Sequence, residues 1–279
     1  MFKDKTISFI GSGVMAEAMI RGLVTQKSVV PEQILAADPW QERVEYLTDK
    51  YAIRGTMDNR EAAEEGQIVV LSIKPQSVPH VAPEIRGHLR RQDLLLSIIA
   101  GMPIKKLADG TAHASVVRSM PNTPAQIGQG ISVWTATPEV SDEQKKEAQA
   151  ILGSFGKEIF VDDESYLDMA TALSGSGPGY VFLFMEAMID AGVHMGFSRR
   201  IAEELVFQTI MGSVEYAAQS GKHVAELRNQ VTSPGGTTAA ALYHMEKGGL
   251  RTVLSRGIWA AYERSIQLGK GKPDKGPDL

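Results

Sequence analysis

The chain has 279 residues, a formal net charge of -4 and no cysteine. This mildly acidic balance argues against a surface built for nucleic acid or anionic membrane. The lack of thiols excludes disulfides, thiolate metal sites and a cysteine nucleophile. The length allows two ordinary domains. No apolar stretch is long enough to span a bilayer, and the first strand-like run begins at Thr6, leaving no room for a transit peptide. A cytoplasmic, metal-free protein is expected.

Residues 6–10 (Thr-Ile-Ser-Phe-Ile) read as a buried strand, followed by Gly11-Ser-Gly-Val-Met-Ala16 and a helix over 14–24. Gly11 permits the tight turn, Gly13 lets backbone approach a pyrophosphate, and the small Ala16 lets helix and strand pack closely. The helix start aims free N–H groups and its dipole at an anion. A second strand over 33–37 ends at Asp38-Pro39. Asp38 lies about 20 residues past the loop, where a carboxylate bonds adenosine ribose hydroxyls. It could equally cap the helix expected over 40–51. The nearest arginine is Arg43, so the expectation tilts to NADH over NADPH.

Further strands are expected near 52–55, over 67–73 and 93–99, then 115–120, 130–135 and 158–161. A polar helix runs to about 65 from a turn at Asp58-Asn59. Another, over 141–155, opens with the capping box Ser141-x-x-Gln144. The strand over 67–73 ends in Lys74-Pro75 and that over 93–99 in Ala100-Gly101. Ligands sit at such carboxyl ends in parallel sheets. The fold class is α/β: an N-terminal Rossmann-type doubly wound sheet over 1–162.

Beyond Asp162 no strand-like run remains, and helices are expected over 167–173, 180–195, 199–219, 239–246 and 250–268. The helix over 180–195 begins Tyr-Val-Phe-Leu-Phe-Met and is apolar almost all round, the pattern of a helix buried in a bundle or at a subunit interface. Residues 163–268 are therefore expected to form an all-α domain that makes an intertwined dimer. The polar, Gly/Pro-rich tail over 269–279 is expected to be disordered.

Two blocks in this half carry chemistry: 174–178 (Ser-Gly-Ser-Gly-Pro) and 231–246 (Val-Thr-Ser-Pro-Gly-Gly-Thr-Thr-Ala-Ala-Ala-Leu-Tyr-His-Met-Glu). Pro234 cannot donate, and Gly235 and Gly236 reach backbone angles closed to other residues. The helix from Thr237 presents free N–H groups beside the hydroxyls of Ser233, Thr237 and Thr238, a cradle suited to a carboxylate. An ordinary Pro-Gly break with a threonine cap would look the same.

The order and spacing of these pieces, together with Ile73-Lys-Pro75, the strand end at Gly101 and Met120-Pro-Asn-Thr-Pro124, closely resemble pyrroline-5-carboxylate reductases over nearly the whole chain. The resemblance implies NAD(P)H-dependent reduction of the cyclic imine Δ1-pyrroline-5-carboxylate to L-proline, the last step of proline biosynthesis. It also implies a helical dimerisation domain, with dimers often assembled into a decamer. It places the coenzyme pyrophosphate on Ile10, Gly11, Ser12, Gly13, Val14 and Met15, and the adenosine ribose near Asp38 and Asn59. Ser72, Ile73, Lys74 and Pro75, with Ile98, Ile99 and Ala100, would line the nicotinamide side. The substrate carboxylate would rest on backbone at Ser233, Gly236 and Thr237, the Thr238 hydroxyl would meet the ring nitrogen, and Pro178 would lie against the ring. Asp38 departs from the small hydroxyl residues frequent there, which bears only on coenzyme preference.

Reducing a carbonyl to an alcohol requires a proton donor for the developing alkoxide. Neither glycine-rich block offers one, and His244, six residues past Thr238, would point away from it. An iminium already carries its proton, so the protein needs mainly orientation, a carboxylate anchor and a hydrogen-bonding partner at nitrogen. Two other readings compete. β-Hydroxyacid dehydrogenases share the two-domain plan, but carry a lysine and an asparagine on the helix after a glycine block, and the helix after Gly175–Gly179 here, Tyr-Val-Phe-Leu-Phe-Met-Glu-Ala-Met, has neither. A dinucleotide-sensing regulator would have no need of the Ser233–Thr238 cradle.

Overall fold

The computed structural model describes residues 2–271. The first part of the chain alternates strand and helix: β1 (Ile7–Ile10), α1 (Val14–Thr25), β2 (Ile34–Ala37), α2 (Gln41–Tyr51), β3 (Arg54–Thr56), α3 (Asn59–Glu65), β4 (Ile68–Leu71), α4 (Val78–Ile85), β5 (Leu94–Ser97), α5 (Ile104–Thr111) and β6 (Val116–Met120). It closes with β7 (Gly130–Ala136), α6 (Asp142–Gly153) and β8 (Gly156–Phe160). The eight strands form one sheet in the order β3-β2-β1-β4-β5-β6-β7-β8. The crossover to the far side of β1 between β3 and β4 makes the topological switch point of a doubly wound sheet. Among the described residues the one antiparallel pairing is between β6 and β7, and β8 runs parallel to β7, so the last two strands are reversed relative to the other six. The link between β6 and β7 holds one short 3-10 segment, Thr123–Ile127, and lacks the crossover helix that parallel pairing requires.

Strand side chains alternate between two cores, one on each face of the sheet. Ile7 and Phe9 join Met19, Ile20 and Leu23 of α1, Leu47 of α2 and Ile151 of α6. Ile10, Leu35 and Val69 join Ala62 of α3, Ile85 of α4 and Leu107 of α5. Each fully buried leucine or isoleucine contributes about 1.5–3 kcal/mol. Ala16 is fully buried where α1 crosses the sheet, as the glycine-loop pattern requires. The capping box at Ser141 forms, with Ser141 accepting from the Gln144 N–H and the Gln144 side chain accepting from the Ser141 N–H.

Several boundaries differ from expectation for local reasons. β3 begins at Arg54, because Ala52 ends α2 in the left-handed region at φ 55°. β4 stops at Leu71, because Ser72 turns to bond the glycine loop. α4 has no sequence signal, since Pro79 and Pro83 read as breakers. Pro79 sits in the first turn, where no N–H is needed, and Pro83 four residues on would have bonded back to it.

The helical part comprises α7 (Ser165–Ala170), a π-turn (Thr171–Gly175), α8 (Gly177–His194), α9 (Arg199–Ser220), α10 (Val224–Gln230), α11 (Thr237–Lys247) and α12 (Leu250–Gly269). The helix expected over 167–173 is thus α7 running into a π-turn, and the seven-residue α10 was not foreseen. By its contacts the chain divides after Ser176: one compact unit includes everything to there plus the chain from Ala261, and the other is Gly177–Ala260.

Within the first unit, Arg118 of β6 is almost wholly buried. It pairs with Glu164 at 2.6 Å and lies 3.7 Å from Asp168. The Ser265 hydroxyl of α12 donates to Asp168 at 2.6 Å, and Lys106 donates to the Gly269 carbonyl at 2.7 Å. Leu268 fills the space over Gly101, where an added Cβ would lie 2.9 Å from the Leu268 Cβ. The second unit buries little. Ile189, Ala202 and Val206 form its small core, and Gly192 lets α8 approach Ala202 of α9 closely. The tail expected to be disordered over 269–279 falls outside the described residues from 272 onward. Among the described residues no helix is long and apolar enough to cross a membrane.

Candidate active site

The first cluster of candidate residues lies at the carboxyl ends of β1, β2, β4 and β5. Register aligns Ile10 with Ala37 and Leu71, and Leu71 with Ser97, so the loops that follow emerge along one edge. Gly11 has φ 86°, and a Cβ there would lie 2.6 Å from Ile73 Cγ2 and 3.0 Å from its backbone nitrogen. Both angle and space demand glycine. Its N–H donates to the Ala37 carbonyl at 2.9 Å. Gly13 differs: a Cβ there would meet nothing within 4 Å, so the space before α1 is open. Gly13 caps α1 without a side-chain bond, and Glu17 N–H makes the first return bond to the Gly13 carbonyl at 3.0 Å. The N–H groups of the first turn, Val14 and Met15 among them, are the donors an anion would use.

The second residue of the loop is held from both sides. The Ser12 N–H donates to Asp38 Oδ2 at 2.9 Å, and its hydroxyl donates to the Ala37 carbonyl at 3.1 Å. Asp38 Oδ1 accepts from the Trp40 N–H at 3.1 Å. Asp38 is therefore not the cap of α2; Trp40 holds that position without a side-chain bond. The Asp38 carboxylate instead joins the turn after β2 to the glycine loop.

Arg43, known from the sequence only as the nearest arginine, reaches the same loop from α2. Its Nε donates to the Ser12 carbonyl at 2.6 Å, Nη2 donates to the Gly13 carbonyl at 3.3 Å, and the guanidinium pairs with Glu17 at 2.6 Å. Glu17 also accepts from Lys50 at 2.9 Å and from the Tyr51 hydroxyl at 3.0 Å. Partial burial works to raise the Glu17 carboxyl, but the hydrogen bonds from Lys50, Arg43 and Tyr51 outweigh it and bring it down to about 2. Arg43 lies 31 residues past Ser12, so no short-range pattern signals the contact.

The remaining loops continue along this edge. The Ser72 N–H donates to the Ile10 carbonyl at 3.0 Å, and its hydroxyl donates to Gly11 at 2.6 Å. Lys74 is exposed and precedes the short 3-10 segment Pro75–Ser77. The Ile98 N–H pairs with the Leu71 carbonyl at 3.1 Å, while the Ile99 N–H turns to the Ser97 hydroxyl at 3.2 Å. Ala100 is half-buried just beyond. Asn59 begins α3 and donates to Glu84 at 2.8 Å, with Asp58 as the helix cap.

The second cluster belongs to Gly177–Ala260. The Gly236 N–H donates to the Ser233 carbonyl at 3.0 Å across Pro234 and Gly235, the latter at φ 71°. Proline then glycine at positive φ is a type II turn. A Cβ on Gly236 would lie 2.5 Å from the Ser233 hydroxyl. Gly236 caps α11 without a side-chain bond, so Thr237 and Thr238 open the helix with unclaimed first-turn N–H groups. Thr238 is half-buried. From Thr232 to Ala241 there is no ionisable side chain, and His244 is exposed against Tyr243. Pro178 occupies the first turn of α8. No group of acidic, histidine or cysteine side chains that could hold a metal occurs among the described residues.

Comparisons with known proteins match both halves. Residues 6–101 match the family described as NADP oxidoreductase coenzyme F420-dependent, and residues 164–268 match pyrroline-5-carboxylate reductase dimerisation. A pyrroline-5-carboxylate reductase of Synechocystis sp. is 39% identical over 95% of this chain and 98% of its own length. One from Pseudomonas aeruginosa is 40% identical over 95% and 97%. Among solved structures, the Plasmodium falciparum pyrroline carboxylate reductase with NADP bound aligns with a TM-score of 0.89 at 33% identity, covering 96% of this chain and all of that one. The Coxiella burnetii pyrroline-5-carboxylate reductase gives 0.87 at 33%, covering 95% and 98%. At this identity and coverage, the chain belongs to the pyrroline-5-carboxylate reductase family.

Proposed function

We propose that this protein reduces Δ1-pyrroline-5-carboxylate to L-proline, with NADH or NADPH as the hydride source. The observation that carries the reading is the Ser233–Gly236 turn, which opens α11 with uncapped N–H groups beside hydroxyls and without an acid or base. That chemistry suits an anionic carboxylate and an iminium that already holds its proton.

The coenzyme supplies the hydride. The open space before α1 and the uncapped first turn fit a pyrophosphate, so Ile10 through Met15 are assigned to it. Asp38 and Asn59 are assigned to the adenosine ribose, and the loops from Ser72 to Pro75 and Ile98 to Ala100 to the nicotinamide side. Backbone at Ser233, Gly236 and Thr237 would anchor the substrate carboxylate. The Thr238 hydroxyl would bond the ring nitrogen and Pro178 would close on the ring. In this division residues 1–162 serve the coenzyme, and 163–268 serve substrate and dimer formation. The matched dimerisation family over 164–268 supports that boundary. Exposed apolar side chains on α8, such as Phe182 and Leu183, support an intertwined homodimer. A decamer of five dimers and a cytoplasmic location complete the reading.

Parallel assays of NADH and NADPH oxidation with Δ1-pyrroline-5-carboxylate test it. Turnover with both is expected, faster with NADH, because the Asp38 carboxylate beside the loop disfavours a ribose 2′-phosphate. Asp38→Ser should move the rate ratio about tenfold toward NADPH. Tight coenzyme binding without imine turnover would instead identify a sensor.

A further inference from the structure

We infer that Asn122 is a positioning residue for imine reduction, acting by locking the π-turn from which Pro178 leads. The inference rests on the reading that Pro178 meets the substrate ring.

The helical run that starts at Ser165 changes pitch at Thr171–Gly175. The Ser176 N–H reaches back five residues to the Thr171 carbonyl at 2.8 Å, the widened bond of a π-turn, a form that recurs at functional sites. In a regular helix the carbonyl of residue 174 is served by the N–H of residue 178. Here residue 178 is proline and has none. The Asn122 side chain takes that place: its Nδ2 donates to the Ser174 carbonyl at 3.2 Å. The amide is itself oriented, since its Oδ1 accepts from the Ile131 N–H of β7 at 2.9 Å. Both ends of one planar group are thus committed, one to the sheet and one to the turn.

The rest of the turn is fastened in the same spirit. The Thr171 hydroxyl donates to the Leu167 carbonyl at 2.6 Å, and the Ser174 hydroxyl to Ala170 at 2.9 Å. Gly175 lies so near Met120 that a Cβ would come within 2.6 Å of its methyl. Met120 and Asn122 flank Pro121 at the end of β6, so one short segment both packs the turn and bonds it. A proline that meets a small ring has one rigid surface to offer, and its angle depends on the turn that feeds it. Asn122 holds the turn that leads into Pro178, without touching substrate.

Asn122→Asp separates the two bonds, because it keeps an acceptor for Ile131 and removes the donor to Ser174. The full-length variant should bind NADH within twofold of wild type, while its KM for the imine rises about tenfold and kcat changes less. Hydrogen exchange at the amides of Ser176 and Gly177 should quicken about tenfold. Adding Pro178→Ala supplies a backbone N–H to the Ser174 carbonyl and should restore slow exchange in the double variant. Unchanged exchange in Asn122→Asp would overturn the inference, as would a wild-type imine KM in that variant beside a raised one in Asn122→Ala. An equal loss of coenzyme affinity would also overturn it, by assigning Asn122 to the coenzyme side. If Asn122→Asp fails to fold, Asn122→Ala with Pro178→Ala against Asn122→Ala alone decides by the same exchange readout. If the wild type does not reduce this imine, the proposed reaction fails, while the exchange data still judge the lock.

Discussion

The two compact units of this chain solve the problem of folding in opposite ways. In the first, strands such as Ile68–Leu71 are buried at every residue, and helices cover both faces of the sheet. In the second, only Ile189, Ala202 and Val206 form a core, while Phe182 and Leu183 stand 60% and 67% exposed in the single chain. A helix with an apolar face and no cover within its own chain is built for another copy. The first unit covers its apolar faces within its own chain, whereas the second leaves apolar faces for a partner copy to cover.

The sharpest way to break this contrast is to charge the uncovered face. Leu183→Asp should abolish dimer formation in analytical ultracentrifugation and unfold the helical unit well below the melting temperature of the other. Coenzyme binding at the glycine loop should survive. A variant that remained dimeric would relocate the interface away from α8.

Thr238→Ala comes next. It should lower imine turnover between tenfold and a hundredfold, the range for losing a hydrogen bond to a charged partner, with normal coenzyme affinity and an unchanged melting curve. Turnover at the wild-type rate would remove Thr238 from the chemistry.

The smallest effect concerns the clamp on the glycine loop in the first unit. Glu17 titrates near 2 rather than at its ordinary 4.5. A carboxyl depressed on folding stabilises the fold above its unfolded value and loses that contribution as pH falls through its folded one. Glu17→Gln should therefore melt lower than wild type at neutral pH, with the gap closing between about pH 4.5 and 2. A constant gap across that window would show that Arg43 and Lys50 hold Glu17 through packing rather than charge.

The same contrast explains what the sequence made legible. Buried strands such as Ile68-Val-Val-Leu71 announce themselves, because a sheet covered on both faces needs continuous apolar runs. Gly11 was readable because only glycine tolerates its angle and its neighbour Ile73. The three-residue β3 and the proline-bearing α4 were blurred or hidden, since neighbours rather than local preference decide them. Within the site, loops with glycine or proline signatures could be named in advance. Arg43 and Asn122 could not be given their roles, because they bond backbone carbonyls far along the chain, and carbonyls carry no residue-specific mark. Asp38 shows the intermediate case. Its position implied a ribose contact or a helix cap, and the structure adds a bond to the Ser12 N–H that neither idea contained.

One feature of the last helix bears on how the molecule is made. α12 begins among the residues of the second unit, yet its end belongs to the first, with Ser265 buried against Asp168 and Leu268 over Gly101. The first unit is thus discontinuous in sequence. As the chain leaves the ribosome, that unit stays short of a segment until the residues from Ala261 onward have followed the whole of the second unit. No single cut can release either unit whole, and even a small loss from the far end of α12 would strip cover from Gly101, far earlier in the chain.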